Sequence, residues 1–548
     1  MPLDADRVRR TKIIKTILDT ALKLTKKSEQ SCVQQFIGQY FSHLALDDLE
    51  TIDEQALAGL ALHHLSSATK HKPGEQIINI YNPCVEKEGW GLGHTVVEII
   101  TSDKPFLVDS ITAEMNRLGF GVHISIHPVV RMRRTAAGKL TEVLEPALLG
   151  IDKGVVVESL IHLQIDEQPE MFHAEIKAEL LKVLDDIELA VRDWRTMRAA
   201  LADLIDELET LSANLPLEEV SEVRDFLRWL HDDNFTFLGY REYEFAGTGT
   251  RARVTVAKNS SMGVLSDLSR VVFQELRDLA KMPPDVRSFV NRPDLLLVTK
   301  TDMRSRVHRP VQMDSIGIKR LDSKGRVVGQ RIFVGLFTAG AYNRSARDIP
   351  LLRRKIQGTF DRAGLPSNSH NGKTLLNILE TFPRDELFQI SSDQLLETSL
   401  GILRLQDRQK VSLFLRRDDF ERFISCLIYV PRDRYSTELR KKIQAQLEDI
   451  FAGSITAHYA HLGDDALTRL HVVIKTTPGE IPKYDLKDIE AGIAELTRSW
   501  GDRLGGALIA RNGEMEGMRL LDAYQNAFNR NYEESFSTEE TINDNKRM

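Results

Sequence analysis

Three histidines are the first residues whose spacing suggests chemistry. His123 and His127 fall on one face of a segment that alternates as a strand, with Ser125 between them. His162 lies on a second strand-like segment, where it shares a polar face with Gln164 and Asp166. Three imidazoles on one sheet face could bind a divalent metal. Without a carboxylate or cysteine at fixed spacing, the plainer reading is a solvated or interface-facing polar sheet face, and no metal is expected.

Nucleotide chemistry needs a strand, a glycine-rich turn and a helix, followed by an acidic residue about 20 positions on. No segment has that order. Gly89-Trp90-Gly91-Leu92-Gly93 precedes a strand instead of opening a helix, and Gly247 and Gly249 read as a hairpin. Asn371-Gly372-Lys373-Thr374 resembles the end of a phosphate loop, but Ser367 stands where the earlier glycine belongs and no strand precedes it, so a helix N-terminus with an exposed Lys373 is expected. His231, Asp232 and Asp233 are consecutive, point in different directions and read as a helix end. No catalytic, cofactor-binding or metal residue is assigned.

Two basic clusters remain: Arg304, Arg306, His308 and Arg309 in a loop, and Arg353, Arg354 and Lys355 on a helix. Guanidinium forks match carboxylates, although solvated charge or an intersubunit contact is the commoner use of such clusters. The turn Ser102-Asp103-Lys104-Pro105 opens a helix carrying Asp109 and Ser110, and free backbone N–H groups at such a start can hold a carboxylate.

The chain that must position these groups has 548 residues, too many for one hydrophobic core, so three or four domains are expected. A net charge of -7 gives no attraction to a phosphate backbone, which argues against nucleic acid. Cys32, Cys84 and Cys426 are too few and too scattered for a disulfide framework or paired zinc ligands. The N-terminus lacks the apolar run of a signal peptide, and no stretch approaches the roughly 18 apolar residues of a membrane span. A soluble, cytoplasmic protein is expected.

Residues 8–66 carry apolar positions at helical spacing and end at the stop signal Lys72-Pro73-Gly74. TVVEIITSD, PFLVDSITAEMNRLG, GVHISIHPVVRMRR and VVVESLIHLQID then give strand, helix, strand, strand, and a long helix follows from about Met171 to Leu211 with Glu and Lys on its outer face. That order makes a ferredoxin-like sandwich. Residues 221–365 open with a short helix and continue as an antiparallel meander, with a tight turn at Asp322-Ser323-Lys324-Gly325-Arg326. Helices at 348–364 and 373–382 lead to another near residue 400. A second sandwich begins at VSLFLRRD; Ser436 is the N-cap of its first helix and Gly453 the stop.

The segments PFLVDSITAEMNRLGFGVHISIHPVVR (105–131), FLRWLHDDNFTFLGYREYEF (226–245), YNRSARDIPLLRRK (342–355), NILETFPRDELFQI (377–390) and the run from 400 to 440 resemble the N-terminal half of the large NAD-dependent glutamate dehydrogenases of bacteria. The resemblance covers residue 30 to the end of the chain. It implies an α+β, multidomain architecture: ACT-like (ferredoxin-like) sandwiches flank an antiparallel PAS-like sheet domain, with connecting helices. The expected divisions are a helical lead-in over 1–75, a first ACT-like domain with its long helix over 76–215, the PAS-like domain over 216–400, a second ACT-like domain over 401–508, and over 509–548 a linker and the start of a further module, helical with Ser537 as cap.

For the complete enzyme the resemblance implies oxidation of L-glutamate to 2-oxoglutarate and ammonia with NAD as cofactor, response to amino-acid effectors, and self-association through ACT-like domains. The partners expected are an amino-acid effector and the catalytic region of the same polypeptide, with no nucleic acid and no membrane. NAD is not expected to bind this chain. ACT-like modules bind amino acids near the first strand-to-helix turn, which points to Ser102, Asp103, Lys104, Asp109 and Ser110, and more weakly to the turn near Asp433 and Ser436. A stand-alone sensing or scaffold protein without enzyme activity is the alternative.

Overall fold

The computed structural model describes residues 2–72, 74–146, 154–209, 215–246, 253–272, 294–405, 408–463, 465–524, 527–529, 531–532, 536 and 540–542. Four helices open the chain: α1 (Pro2–Leu24), α2 (Gln30–Tyr40), α3 (Leu46–Thr51) and α4 (Glu54–Ser67). Asp53 caps α4 by accepting from the backbone N–H groups of Gln55 and Ala56. These helices do more than lead in. Ile17, Phe36, Ile37, Leu57 and Leu60 pack on Ile100, Val130 and Leu160 of the following sheet, burying one whole face of it.

That sheet contains β1 (Ile77–Tyr81), β2 (Thr95–Ser102), β3 (Val122–Ile126), β4 (Val129–Arg134), β5 (Leu140–Val143) and β6 (Val155–Ile165), in the order β1-β2-β6-β4-β5 with β3 also on β6. Between β1 and β2 lies the one-turn helix α5 (Val85–Glu88), after which Gly89 turns the chain with φ +78° and Trp90 packs over Gly59. Every pairing is antiparallel. The strand expected over 121–134 is divided at His127-Pro128, because proline has no N–H to give the ladder. The opposite face is covered by α6 (Leu107–Arg117) and by α7 (Glu170–Glu209), a 40-residue helix about 60 Å long. The N-terminal half of α7 packs on this sheet through Leu180, Val183 and Ile187, and its C-terminal half enters the next core through Met197, Leu201 and Leu204.

After α8 (Leu217–Trp229) comes a second antiparallel sheet, formed by β7 (Phe235–Ala246), β8 (Arg253–Val256), β9 (Met262–Gly263), β10 (Leu296–Arg304), β11 (Gln312–Leu321) and β12 (Val327–Phe337). Its order is β10-β11-β12-β7-β8, with β9 on β7. Gly325, at φ +74°, closes the expected hairpin, and Asp322 accepts from the backbone N–H groups of Lys324 and Arg326. Gly247 and Gly249 lie outside the described residues. Helices Leu352–Ala363, His370–Glu380, Arg384–Gln389 and Ser392–Leu405 follow.

The third sheet holds β13 (Ser412–Arg417), β14 (Phe423–Pro431), β15 (Ser454–His461) and β16 (Leu467–Lys475) in the order β13-β14-β16-β15, covered on one side by helices Thr437–Phe451 and Leu486–Thr497. Its winding repeats the frame of the first sheet: an edge strand comes first, followed by strand, helix, returning strands and a helix, with β15 and β16 in the places of β3/β4 and β6 and without a counterpart of β5. Ser436 caps the first helix as expected, accepting from the Leu439 N–H at 3.0 Å. The left-handed stop residue is Ala452 (φ +48°) and not Gly453, whose role is close approach: a Cβ there would meet the Lys475 carbonyl oxygen at 2.5 Å. Helices Trp500–Asn512 and Glu514–Tyr524 come next, and the expected cap Ser537 lies outside the described residues. Among the described residues no helix is long and apolar enough to cross a membrane.

Candidate functional site

The turn expected to bind a ligand is built from the end of β2, where the chain must reverse into α6. Phe106, the residue before that helix, takes φ +73°, a left-handed conformation that costs a residue with a side chain on the order of 1–3 kcal/mol. The partner that sustains it comes from the loop between β10 and β11. There His308 is also left-handed, at φ +67°, and its ring lies 5.3 Å from the Phe106 ring. The His308 backbone N–H donates to Ser110 Oγ at 2.8 Å, and its Nδ1 sits 3.1 Å from Asp109 Oδ2. Two segments some 200 residues apart are thus held together at two strained positions.

Beside this joint lies a cavity of about 570 Å³ between α6, α7 and the loop, within the usual size of small-ligand sites. Its wall carries both charge signs. Arg117 on α6 grips Glu114 through Nε and Nη2 and reaches Glu179 on α7 at 3.2 Å. Lys182 donates to Glu179 at 2.6 Å, and that hydrogen bond holds the Glu179 carboxyl below the usual carboxylate range. Asp186, only 4% exposed, pairs with Arg270 at 2.5 Å and more loosely with Arg306 at 3.6 Å. Arg304 is exposed at the rim, anchored by its Nε on the Pro310 carbonyl. Leu118, Val264, Met303, Val307 and Met313 supply an apolar floor. A more open hollow of about 690 Å³ continues along α6, sharing Ala113, Arg117, Arg304 and Pro310 and adding Asp109 and His308. Closely spaced cations and carboxylates over an apolar floor can hold a small zwitterion at both ends.

The expected turn residues divide. Asp109 and Ser110 line these hollows. Ser102 stays in the ladder opposite Glu158, Asp103 accepts from Ser159 Oγ at 2.6 Å, and Lys104 is paired with Glu188 of α7. Those three are structural partners of the sheet and of α7 and do not line the cleft. The loop cluster Arg304, Arg306, His308 and Arg309 does, with Arg306 reaching Asp186, His308 reaching Asp109 and Arg309 donating to the Phe337 carbonyl within the chain, while Arg304 stays exposed. The acidic wall on α7 was read as an outer face; Asp186 has the same local pattern as its exposed neighbours, and only the central sheet buries it.

The other candidates resolve into structure. Arg353 is held by Glu222 and Asp225, and Arg354 by Glu218. Lys355 is turned inward to donate to the carbonyls of Leu387, Phe388 and Ile390, and burial pushes its ammonium down to about 8. Gly372 is one turn into a helix capped by Ser369, with Lys373 exposed as expected. His231 and Asp233 are gathered at a helix end by Arg198. Near the second turn, Asp433 pairs with Arg434, which also binds Asp502. Cys32 and Cys84 are half-buried and Cys426 is buried, all three free.

The three histidines do not meet. His123 pairs with Asp166 at 2.7 Å and His127 reaches Ser159 Oγ at 3.1 Å, whereas His162 is wholly buried under α4. The sheet face expected to be solvated is therefore interior at His162, because α1–α4 fold back over it.

Four segments match family models of glutamate dehydrogenase: the ACT1 domain at residues 36–180, helical motif 1 at 349–408, the ACT2 domain at 412–501 and helical motif 2 at 507–548. The NAD-specific glutamate dehydrogenase of Halomonas elongata is 36% identical over 537 residues, which is 98% of this chain and 33% of that protein. The chain belongs to the large NAD-specific glutamate dehydrogenases. The enzyme of the same name from Pseudomonas aeruginosa is 36% identical over 92% of the chain and 31% of its own length, and that of Mycobacterium tuberculosis is 28% identical over 83% and 27%. The chain thus spans about a third of the length of these glutamate dehydrogenases. The first and third sheets are their ACT1 and ACT2 domains, and the cleft lies where ACT1 meets the central sheet.

Proposed function

We propose that these 548 residues are the regulatory and assembly region of an NAD-dependent glutamate dehydrogenase, and that oxidation of L-glutamate to 2-oxoglutarate and ammonia, with reduction of NAD, is carried out by a part of the polypeptide outside them. The observation that carries the regulatory reading is the cleft itself. Its walls belong to two different domains, so a ligand seated there favours one relative placement of ACT1 and the central sheet over others. Its chemistry suits a free amino acid: Arg304 and Arg306, which line the cavity, would take the α-carboxylate, and Glu114 and Glu175, which line it from α6 and α7, would take the ammonium. Assembly is supported by the open edge of the ACT2 sheet at β15, which suits a second copy of the chain.

Calorimetry of the purified chain with each amino acid in turn tests this. At least one should bind, and Arg304→Ala should weaken it by about tenfold or more, the loss of one charge-assisted contact, without lowering the melting temperature. Silence across all amino acids would remove the sensing role. The same preparation mixed with glutamate and NAD should form no NADH, and turnover would place the chemistry inside this chain.

A further inference from the structure

The geometry points to a metal site in ACT1, on the face of its sheet opposite the cleft: we propose that His64, Glu98 and His162 bind a divalent first-row ion, zinc by the nature of the donors. Glu98 on β2 and His162 on β6 are direct cross-strand partners, and α4 lays His64 over them. All three side chains are 0% exposed, and one ligand atom from each lies within 4.8 Å of the others.

The hydrogen bonds around them say which atoms would ligate. His64 Nδ1 is 2.9 Å from the Tyr40 hydroxyl, and His162 Nε2 is 3.3 Å from the Gln164 side-chain amide. The other nitrogen of each ring, His64 Nε2 and His162 Nδ1, is buried and makes no well-formed hydrogen bond, the Ile99 backbone being the polar group within reach of the His64 ring. Buried polar atoms are nearly always paired, so two such imidazole nitrogens beside one buried carboxylate indicate a shared ligand. A metal-bound histidine characteristically donates its second N–H to a fixed acceptor. The Tyr40 oxygen serves His64 in that way, and the carbonyl end of the Gln164 amide serves His162 once the amide is turned to face it. Glu98 is held in turn by the Tyr81 hydroxyl at 2.8 Å and by His63 Nδ1 at 3.0 Å. Two imidazoles and one carboxylate form a zinc-type donor set, whereas calcium and magnesium require more oxygen ligands. Because the ligands come from a helix and from two strands, the ion would pin the N-terminal helices to the ACT1 sheet.

The test is zinc binding by the purified 548-residue chain, stripped with EDTA and reloaded. The expected result is one tightly held ion per chain by elemental analysis, a higher melting temperature with zinc, and visible absorption bands of low-coordinate cobalt when Co²⁺ replaces it. His64→Gln and His162→Gln should lose the ion. Tyr40→Phe should weaken binding about 10–100-fold, the usual cost of losing a ligand's second hydrogen bond. His123→Gln, which removes the exposed His123–Asp166 pair, should change nothing. A folded wild-type chain that retains no zinc overturns the proposal without need of any variant, and so does retention lost in His123→Gln but kept in His162→Gln.

Discussion

In ACT1 both faces of the sheet belong to cores that continue into neighbouring elements. Ile100, Val130 and Leu160 face α1–α4, while Val97, Ile99 and Ile161 join a cluster that runs on into Leu238, Val264 and Val334 of the central sheet. ACT2 has the same winding, and beneath its own two helices lies a separate apolar core built from Ile424, Cys426, Ile428, Ile443, Leu447 and Val472. Its other face meets the helical segment before it through Phe414, Leu427 and Tyr429 and a buried ion pair between Arg416 and Glu386, and its β13–β14 turn is buried on the central sheet, where Arg422 donates to the Lys300 carbonyl and to Thr299 Oγ1 and Phe420 joins the neighbouring core. One topology therefore does two jobs. Fused on both faces, it is a scaffold that cannot shift without opening a core, and polar groups such as Glu98 are enclosed within it. Docked through a joint that is part apolar and part charged, it keeps one core of its own beneath its helices.

The strongest way to break this contrast is to damage ACT1 from inside. Glu158 on β6 is 3% exposed and accepts from Arg134 at 2.6 and 2.8 Å, with His71 Nδ1 at 2.7 Å. Glu158→Gln leaves the Arg134 guanidinium buried without its counter-charge, which costs about 3–5 kcal/mol. If the cores are continuous, hydrogen exchange should accelerate through residues 95–165 and 235–337 together while 412–497 keeps its protection. Loss confined to the ACT1 strands would show that its core is not continuous with that of the central sheet.

The joint of ACT2 is tested by acid. Burial raises the Glu386 carboxyl, but Arg416, at 2.6 and 3.0 Å, outweighs it and holds the group at about 2, against about 4.3 in an unfolded chain. A depressed carboxyl stabilises the fold above its unfolded value and ceases to as pH falls through its folded one. The contribution, on the order of 3 kcal/mol, should therefore be intact at pH 7 and lost between about pH 4 and 2. The difference in urea midpoint between wild type and Glu386→Gln should be largest at neutral pH and shrink over that window. A difference independent of pH would mean that the pair does not carry the joint.

ACT2 was the more legible of the two in the sequence, because the core beneath its helices is local. Its alternating strands, the Ser436 cap and its helices report a core made of local segments. In ACT1 the alternation of β2 and β6 is visible, but nothing near His162 announces that α4, nearly 100 residues earlier, covers that face. Lys355 looks like Arg353 and Arg354 in a basic run, yet it alone is turned inward and half-buried, because its position is set by a helix 30 residues on. The cleft was half legible: the loop arginines and the start of α6 stood out by composition, but their meeting depends on long-range packing. The left-handed backbone at Phe106 and His308 carries no glycine to betray it.

The smallest effect on folding should come from the outer edge of ACT2. In ACT1 the strand β4 is followed outward by β5, so its edge is paired. The corresponding edge in ACT2 is β15, and among the described residues no strand lies beyond it. Tyr459 on that strand is 53% exposed and Leu462 just after it 61%. Unpaired N–H and C=O groups flanked by exposed apolar side chains invite pairing with another copy, and natural edges are commonly protected by charge. Ala460→Lys, at an exposed position of the same strand, should change stability by no more than about 0.5 kcal/mol, as for surface substitutions generally. It should nevertheless move the sedimentation of the chain toward a single copy. Unchanged sedimentation of an associating chain would shift the assembly surface elsewhere, and with it the reason for leaving ACT2 open at an edge where ACT1 is paired.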